Sequence, residues 1–476
     1  MQNSTQMLLY LIHLIKLFAM KKYASQTAFV ISLFVTIITL LPNRIAAQKG
    51  WQQLFNGKDF TGWKKLGGTA NYTIDNGVLV GTTVLGSGNT FLTTEKEYGD
   101  FILELDVMIE DTSNNSGIQT RSHFDTKKGR VYGRQIEIDP TTRAWTGGVY
   151  DEARREWLYP MDLNATAKTA FKNGAFNHMR IECIGNETKT WINNIATSYV
   201  VDTLDATGFI GLQVHAIGSA AHANKRVFFK NIKIQTTGFK PANFDKNVYV
   251  VNNIPNNLTR YEQKDGWQLL FDGNTTTGWK SAKGEDFPAK GWQVNDGVLQ
   301  VLSSEGKEST NGGDIVSEKQ YGAFDLSFNF KLTAGANSGV KYFVTLAEKS
   351  SGSAIGLEYQ ILDDSLHPDA KLGRSGNRTL ASLYDLMTAN KQKRFLRKIG
   401  EWNIGRVVVY PDNRVEHYLN GVKVLSYTRG SEEFRNLVAI SKYHVWPNFG
   451  EAKQGHILLQ DHGNAVSFKS IKIKAL

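Results

Sequence analysis

Gly50-Trp51-Gln52-Gln53-Leu54-Phe55-Asn56-Gly57 opens a pattern that returns as Gly266-Trp267-Gln268-Leu269-Leu270-Phe271-Asp272-Gly273. Gly62-Trp63-Lys64 recurs at the same offset as Gly278-Trp279-Lys280. Asp75-Asn76-Gly77-Val78-Leu79 is answered by Asn295-Asp296-Gly297-Val298-Leu299, and Glu97-Tyr98-Gly99 by Gln320-Tyr321-Gly322. Asn115-Ser116-Gly117-Ile118 returns as Asn337-Ser338-Gly339-Val340, and Gly211-Leu212-Gln213-Val214-His215 as Leu458-Leu459-Gln460-Asp461-His462. The order is kept and the offset drifts only by loop-sized insertions, so the chain carries two copies of one unit. They are expected at 48–238 and 263–476. The connection, 239–262, is polar and Asn-rich and reads as a linker, with one short strand near Val248–Val251.

Within each copy the dominant period is two. Phe101, Leu103, Leu105, Val107 and Ile109 fall on one face of a strand, as do Phe324, Leu326, Phe328, Phe330 and Leu332. Met179–Ile184, Val407–Tyr410, Val415–Leu419 and Ser467–Ile473 read as further strands, and Asn76-Gly77 and Asp296-Gly297 as hairpin turns. No amphipathic helix of useful length is evident. Many short strands in each copy predict an all-β fold, with each domain a sandwich or jelly roll.

Composition agrees. The 476 residues are 41% hydrophobic and 21% charged, with 44 Gly, 9 Pro and 1 Cys, which excludes disorder, collagen and coiled coil. The lone Cys183 can form no internal disulfide and alternates as a small buried strand residue. Before residue 48, Lys21 and Lys22 precede the apolar run Ala28–Leu41, which ends in Arg44-Ile45-Ala46-Ala47. This predicts a signal peptide over 1–47, with Met20 as a plausible true start and export to the periplasm or cell exterior. The run is shorter than the ~20 residues a membrane span requires, so no stable membrane span is expected. That segment holds Lys16, Lys21, Lys22 and Arg44 and no acid; removing those four from a net +10 leaves +6. The remaining basic residues form no block, so no nucleic-acid partner is expected.

Gly-Trp-x-x-Leu-Phe-x-Gly, Asn-Ser-Gly-[Ile/Val] and Gly-x-Ile-x-Leu-Gln-x-His, in that order and twice over, resemble the 3-keto-disaccharide hydrolase family. The resemblance implies two concanavalin-A-like jelly-roll β-sandwich domains in tandem. It also implies cleavage of a 3-keto-glycoside or oligosaccharide that a separate sugar 3-oxidoreductase has first oxidised. A C3 ketone acidifies the C2 proton, so a modest base can remove it, the C1 substituent leaves by elimination, and the enone takes up water. Such chemistry needs a base, an enolate stabiliser and an acid, but no nucleophilic carboxylate.

Candidate residues follow from alternation. Gln135, Glu137 and Asp139 share a face of one strand, and Glu358 and Gln360 share the corresponding face in the second copy. Gln119, Arg121 and His123 are expected to align beside them, with Lys341 and Phe343 near the Gln119 and Arg121 places. Gln213 with His215, and Gln460 with His462, pair amide and imidazole on one face. The loop Trp145–Arg155, with Trp145, Tyr150 and Glu152, and its echo Tyr384-Asp385, supply aromatic and polar groups suited to sugar. The expected roles in domain 1 are His215 or Glu137 as base, Arg121 and His123 or a bound metal at the enolate, and Gln135 and Asp139 holding sugar or metal. Gln213, Trp145, Tyr150 and Glu152 would line the sugar site. Domain 2 would use Glu358, Gln360, Tyr384, Gln460 and His462. No cofactor is demanded; a divalent Ca or Mn ion at Asp139 is the candidate metal. Glu137-Ile138-Asp139 also resembles the strand of laminarinase-type glucanases. Pro140, Thr141 and Thr142 follow, so the second glutamate which that mechanism requires is absent. The rival from another class is a non-catalytic, lectin-like glycan binder.

Overall fold

The computed structural model describes residues 50–347 and 353–476; the expected export segment, 1–47, lies outside them. Among the described residues no helix is long and apolar enough to cross a membrane. Gln52–Leu476 forms one compact unit that contains both copies.

Each copy is a two-sheet antiparallel sandwich. In domain 1 the larger sheet is built around Phe101–Ile109, flanked by Asn177–Ile184 and Arg226–Gln235. The second sheet has seven strands in the order Glu156–Tyr159, Val149–Glu152, Arg130–Ile138, Ser116–Asp125, Phe209–Val214, Thr90–Thr94, Trp63–Gly67. Non-sequential neighbours in both sheets give the jelly-roll connectivity. Phe101, Leu103, Leu105, Val107 and Ile109 are all buried, as the alternation requires, and share one core with Ile118, Ile136, Ile138 and Leu212 of the facing sheet. Cys183 is a free thiol in that core. Both hairpin turns have positive φ at the two central residues, Asn76 (48°) with Gly77 (80°) and Asp296 (48°) with Gly297 (75°). That geometry matches the right-handed twist of the strands they join.

Domain 2 repeats the plan. Its larger sheet centres on Phe324–Leu332 between Trp402–Val409 and Val466–Ala475. Its five-stranded sheet runs Trp279–Ser281, Ile315–Tyr321, Gly455–Leu459, Asn337–Val344, Leu357–Leu362.

The connecting segment is built into the fold. Val250–Asn252 pairs in parallel with Ile195–Val201 of domain 1, and Arg260–Lys264 forms a short helix with a Thr259–Glu262 capping box. Glu262 meets Lys472 of domain 2 at 2.5 Å, both side chains buried. The Tyr249 hydroxyl donates to Ser327 Oγ at 3.0 Å. Phe395 and Val422 of domain 2 join the apolar core of domain 1. The two sandwiches therefore share packed surface, which constrains the sites they carry.

Candidate active site

The polar face of the seven-stranded sheet holds the residues that alternation placed together. Gln119 Nε2 donates to Gln135 Oε1 at 2.8 Å, and Gln135 Nε2 to Glu137 Oε2 at 3.0 Å. Asn115 Nδ2 donates to Glu137 Oε1 at 3.3 Å, and Arg143 Nη2 lies 3.6 Å from the same oxygen. Gly117 makes the row possible: it faces Glu137 across the ladder, and a Cβ there would lie 2.3 Å from Gln135 Cδ. Gly339 does the same in domain 2, where a Cβ would lie 2.2 Å from Glu358 Oε1. The recurring Asn-Ser-Gly motif thus clears space for one side chain, while its serine fixes the neighbouring strand: Ser116 Oγ donates to the Gln213 carbonyl, and Ser338 Oγ to that of Gln460.

Glu137 is 3% exposed. Burial disfavours the carboxylate and outweighs the Gln135 hydrogen bond and the Arg143 charge, pushing its pKa up to about 7. His215 is shifted the other way. Burial lowers its pKa below 6.5, and its Nδ1 lies 2.5 Å from the Ala216 carbonyl. A carbonyl can only accept, so Nδ1 carries the hydrogen and Nε2 keeps a free lone pair. His215, Asn115, Asp139 and Arg143 line one cavity of about 480 Å³. On the other side of His215 a second hollow is lined by Asn89, Arg130 and Glu152. Glu152 accepts from Asn89 at 3.2 Å, and burial raises its pKa. Tyr150 sits opposite Gln135 in the ladder, its hydroxyl pushed up to about 12 by burial and neighbouring carboxylates. The Gln213 amide is fully buried, and neither its nitrogen nor its oxygen has a partner among the described residues.

Three sequence expectations are corrected. Arg121 and His123 do not share the face of Gln119. The ladder slips between Thr120 and His123, and Arg121 takes φ 47°, so one extra residue turns the following side chains over. Arg121, 1% exposed, donates to the carbonyls of Gly99, Gly185 and Cys183 and to Asp100. It ties the two sheets together, away from the polar face. His123 pairs with Tyr132 and lies 3.5 Å from Asp205. Ser122 takes the vacated place and donates to Gln119 Oε1 at 2.6 Å. Phe343 repeats the bulge in domain 2 with φ 56°. Trp145 offers no open ring: it is 3% exposed, covered by Arg143 at 4.6 Å and edge-on to Trp157 at 4.5 Å. Asp139 is not poised as a metal ligand, because Arg143 Nε (2.6 Å) and the Thr141 hydroxyl (2.6 Å) occupy its two oxygens. Among the described residues no three His, Cys, Asp or Glu side chains converge as a metal site. Arg154 and Arg155 pair with Asp151, Asp202 and Asp205 and so serve the scaffold.

Domain 2 brings Glu358, Gln360, Gln460 and His462 to the equivalent face, with differences. Gln360 faces Gly339 where Glu137 faces Gly117, so the carboxylate has moved one row to Glu358. Burial raises the Glu358 pKa against the pull of Lys341, whose Nζ is 3.8 Å away, and of Lys442. Lys341 also donates to Ser353 Oγ at 2.5 Å, which in turn donates to buried Asp314 at 2.5 Å. Lys442 lies over the Tyr384 ring at 4.2 Å. Gln460 Oε1 and His462 Nδ1 are buried without partners among the described residues. Asn115, Arg143 and Ser122 were not singled out as site residues from sequence. The recurrence of Asn115 as Asn337 was the available signal for the first; the others depend on loop packing or the bulge.

A family profile described as the 3-keto-alpha-glucoside-1,2-lyase-like domain matches the chain twice, at residues 50–235 and 266–474. The chain belongs to this family. A 3-keto-disaccharide hydrolase from Bacteroides thetaiotaomicron is 35% identical over 233 residues, which cover 44% of this chain and 79% of that protein. A crystal structure from Parabacteroides distasonis ATCC 8503, provisionally named a glycosyl hydrolase, is 35% identical and covers 47% of this chain and 99% of that chain, with a TM-score of 0.40. A carbohydrate-binding module from Bacillus subtilis is 18% identical, covering 37% and 95% of the two chains with a TM-score of 0.26. The profile matches each copy separately, so the chain carries two family units.

Proposed function

We propose that domain 1 cleaves 3-keto-glycosides by removing the C2 proton, eliminating the C1 substituent and passing the enone on for hydration. The observation that carries this reading is a pair of groups on one face whose surroundings push them toward opposite roles. His215 is held neutral with Nε2 free, a base at neutral pH. Glu137 is held protonated up to about pH 7, an acid for the departing oxygen. Glu137 sits on the first of three adjacent strands and His215 just past the end of the third, two residues further along, so roughly 12 Å separates their backbones at ~4.8 Å per strand and ~3.3 Å per residue, room for a pyranose ring between. With Arg121 and His123 turned away, Arg143 and Asn115 are the donors left near the ring to meet the enolate oxygen. Gln135 orients Glu137, and Gln213 presents an unclaimed amide to the substrate.

In domain 2 the carboxylate has changed rows and faces lysines, which suits addition of water to the enone better than a second elimination. The chain would act outside the cytoplasm, after a separate oxidoreductase has made the 3-keto sugar. Family membership and the 35% identical hydrolase support the substrate class. The test is incubation with a 3-keto-disaccharide while following the enone and the free keto-sugar. Turnover that falls in both H215A and E137Q fits the reading, and full activity in both variants refutes it. Tight binding of unoxidised glycans with no turnover would favour the lectin-like alternative.

A further inference from the structure

The cavity that holds His215 and Arg143 is also lined by a residue of the second domain, Arg394. It lies in the single turn Lys393–Phe395, which is held on both sides. Phe395 sinks into the core of domain 1 with its ring 5.5 Å from Trp145. The Phe395 carbonyl accepts from Asn420 at 2.8 Å, and Lys391 is held by Asp364 at 2.6 Å. The Arg394 guanidinium rests 4.5 Å from the Phe395 ring and 5.9 Å from Trp145. Among the described residues no carboxylate or carbonyl takes its hydrogens. Arg143, by contrast, is engaged by Asp139 and Glu137. Arg394 is thus an exposed, unclaimed fork carried on a held turn at the edge of the cavity, whereas Arg143 is partly buried.

We propose that Arg394 is a substrate-binding residue which domain 2 supplies to the site of domain 1, where it grips oxygens of the second ring of a disaccharide. The inference rests on the reaction proposed above. Trp145 and Phe395 give the planar fork an apolar bed, and its donors match vicinal hydroxyls or a ring carboxylate. The tandem arrangement then has a catalytic consequence, because domain 1 without its partner would lack this wall.

The test compares two substrates of the full chain, a 3-keto-disaccharide and methyl 3-keto-glucoside, which lacks a second ring. R394A should raise KM for the disaccharide about tenfold, the loss expected for a hydrogen bond to a charged group. kcat, the single-ring substrate and the thermal midpoint should be unchanged, and R394K should recover part of the loss by keeping the charge without the fork. Equal effects on both substrates, or none, would overturn the proposal. If the wild type turns over neither compound, the reaction itself is wrong, and calorimetric titration of the same two compounds decides Arg394. Affinity lost in R394A for the disaccharide alone supports the assignment; no difference, or no binding by the wild type, overturns it.

Discussion

Substituting Glu137 by glutamine separates the chemistry from the folding energetics in one protein. The carboxyl titrates at 4.5 in an ordinary setting and at about 7 here, chiefly through burial. The folded state therefore holds the proton more tightly than the unfolded chain does. The contribution of Glu137 to stability is fullest below pH 4.5 and falls as pH rises toward 7, the reverse of a salt-bridged carboxylate. At about 1.36 kcal/mol for each pH unit between the two values, the penalty above pH 7 is about 3 kcal/mol. E137Q has no such titration. Its amide loses some fit with the Gln135 and Asn115 donors, but that offset is the same at every pH. Urea unfolding of both proteins at pH 4 and pH 8 should show the wild type losing about 3 kcal/mol relative to E137Q between the two conditions. Effects of all other groups cancel in the difference. On a 3-keto-disaccharide the wild-type kcat/KM should decline above about pH 7 as Glu137 loses its proton. E137Q should be slower by roughly 10²–10⁴-fold, the range for a lost general acid. Identical pH dependence of stability in the two proteins would refute the burial argument. Full activity in E137Q would refute the assignment of the acid.

His215 must be neutral to act, and burial lowers its pKa; the acid limb of kcat/KM should therefore lie below pH 6.5, and H215N should lose at least ~100-fold while keeping its thermal midpoint. R121M leaves three carbonyls and Asp100 without their donor; urea unfolding should show a loss of roughly 3–5 kcal/mol, with Michaelis parameters intact on the folded fraction. Activity abolished in a stably folded R121M would restore Arg121 to the site. E358Q should let the enone accumulate, visible by its ultraviolet absorbance, while consumption of substrate continues; an unchanged product ratio would remove domain 2 from the hydration step.

The repeat, the strand periodicity and the turn residues were legible without coordinates because each is a local property of the chain. Alternation along Gln135–Asp139 and Gln213–His215 identified the polar face, and recurrence of the motifs counted the domains. The misplaced strand residues share one cause. Arg121 and Phe343 read as ordinary strand residues, yet each sits at a bulge with positive φ, and one inserted residue reverses every side chain after it. Whether a strand bulges depends on the neighbours it must pair with, which come from distant parts of the chain. Trp145 looked like a sugar platform by residue type, but Arg143 and Phe395 cover it. Sequence by itself thus determined an all-β tandem protein with a row of amides and carboxylates on each copy. Only the tertiary structure decided which of those groups are buried enough to change their protonation, which arginines are consumed by the scaffold, and that Arg394 of one domain borders the site of the other. Burial and long-range packing set those outcomes, and neither is written in the period of a strand.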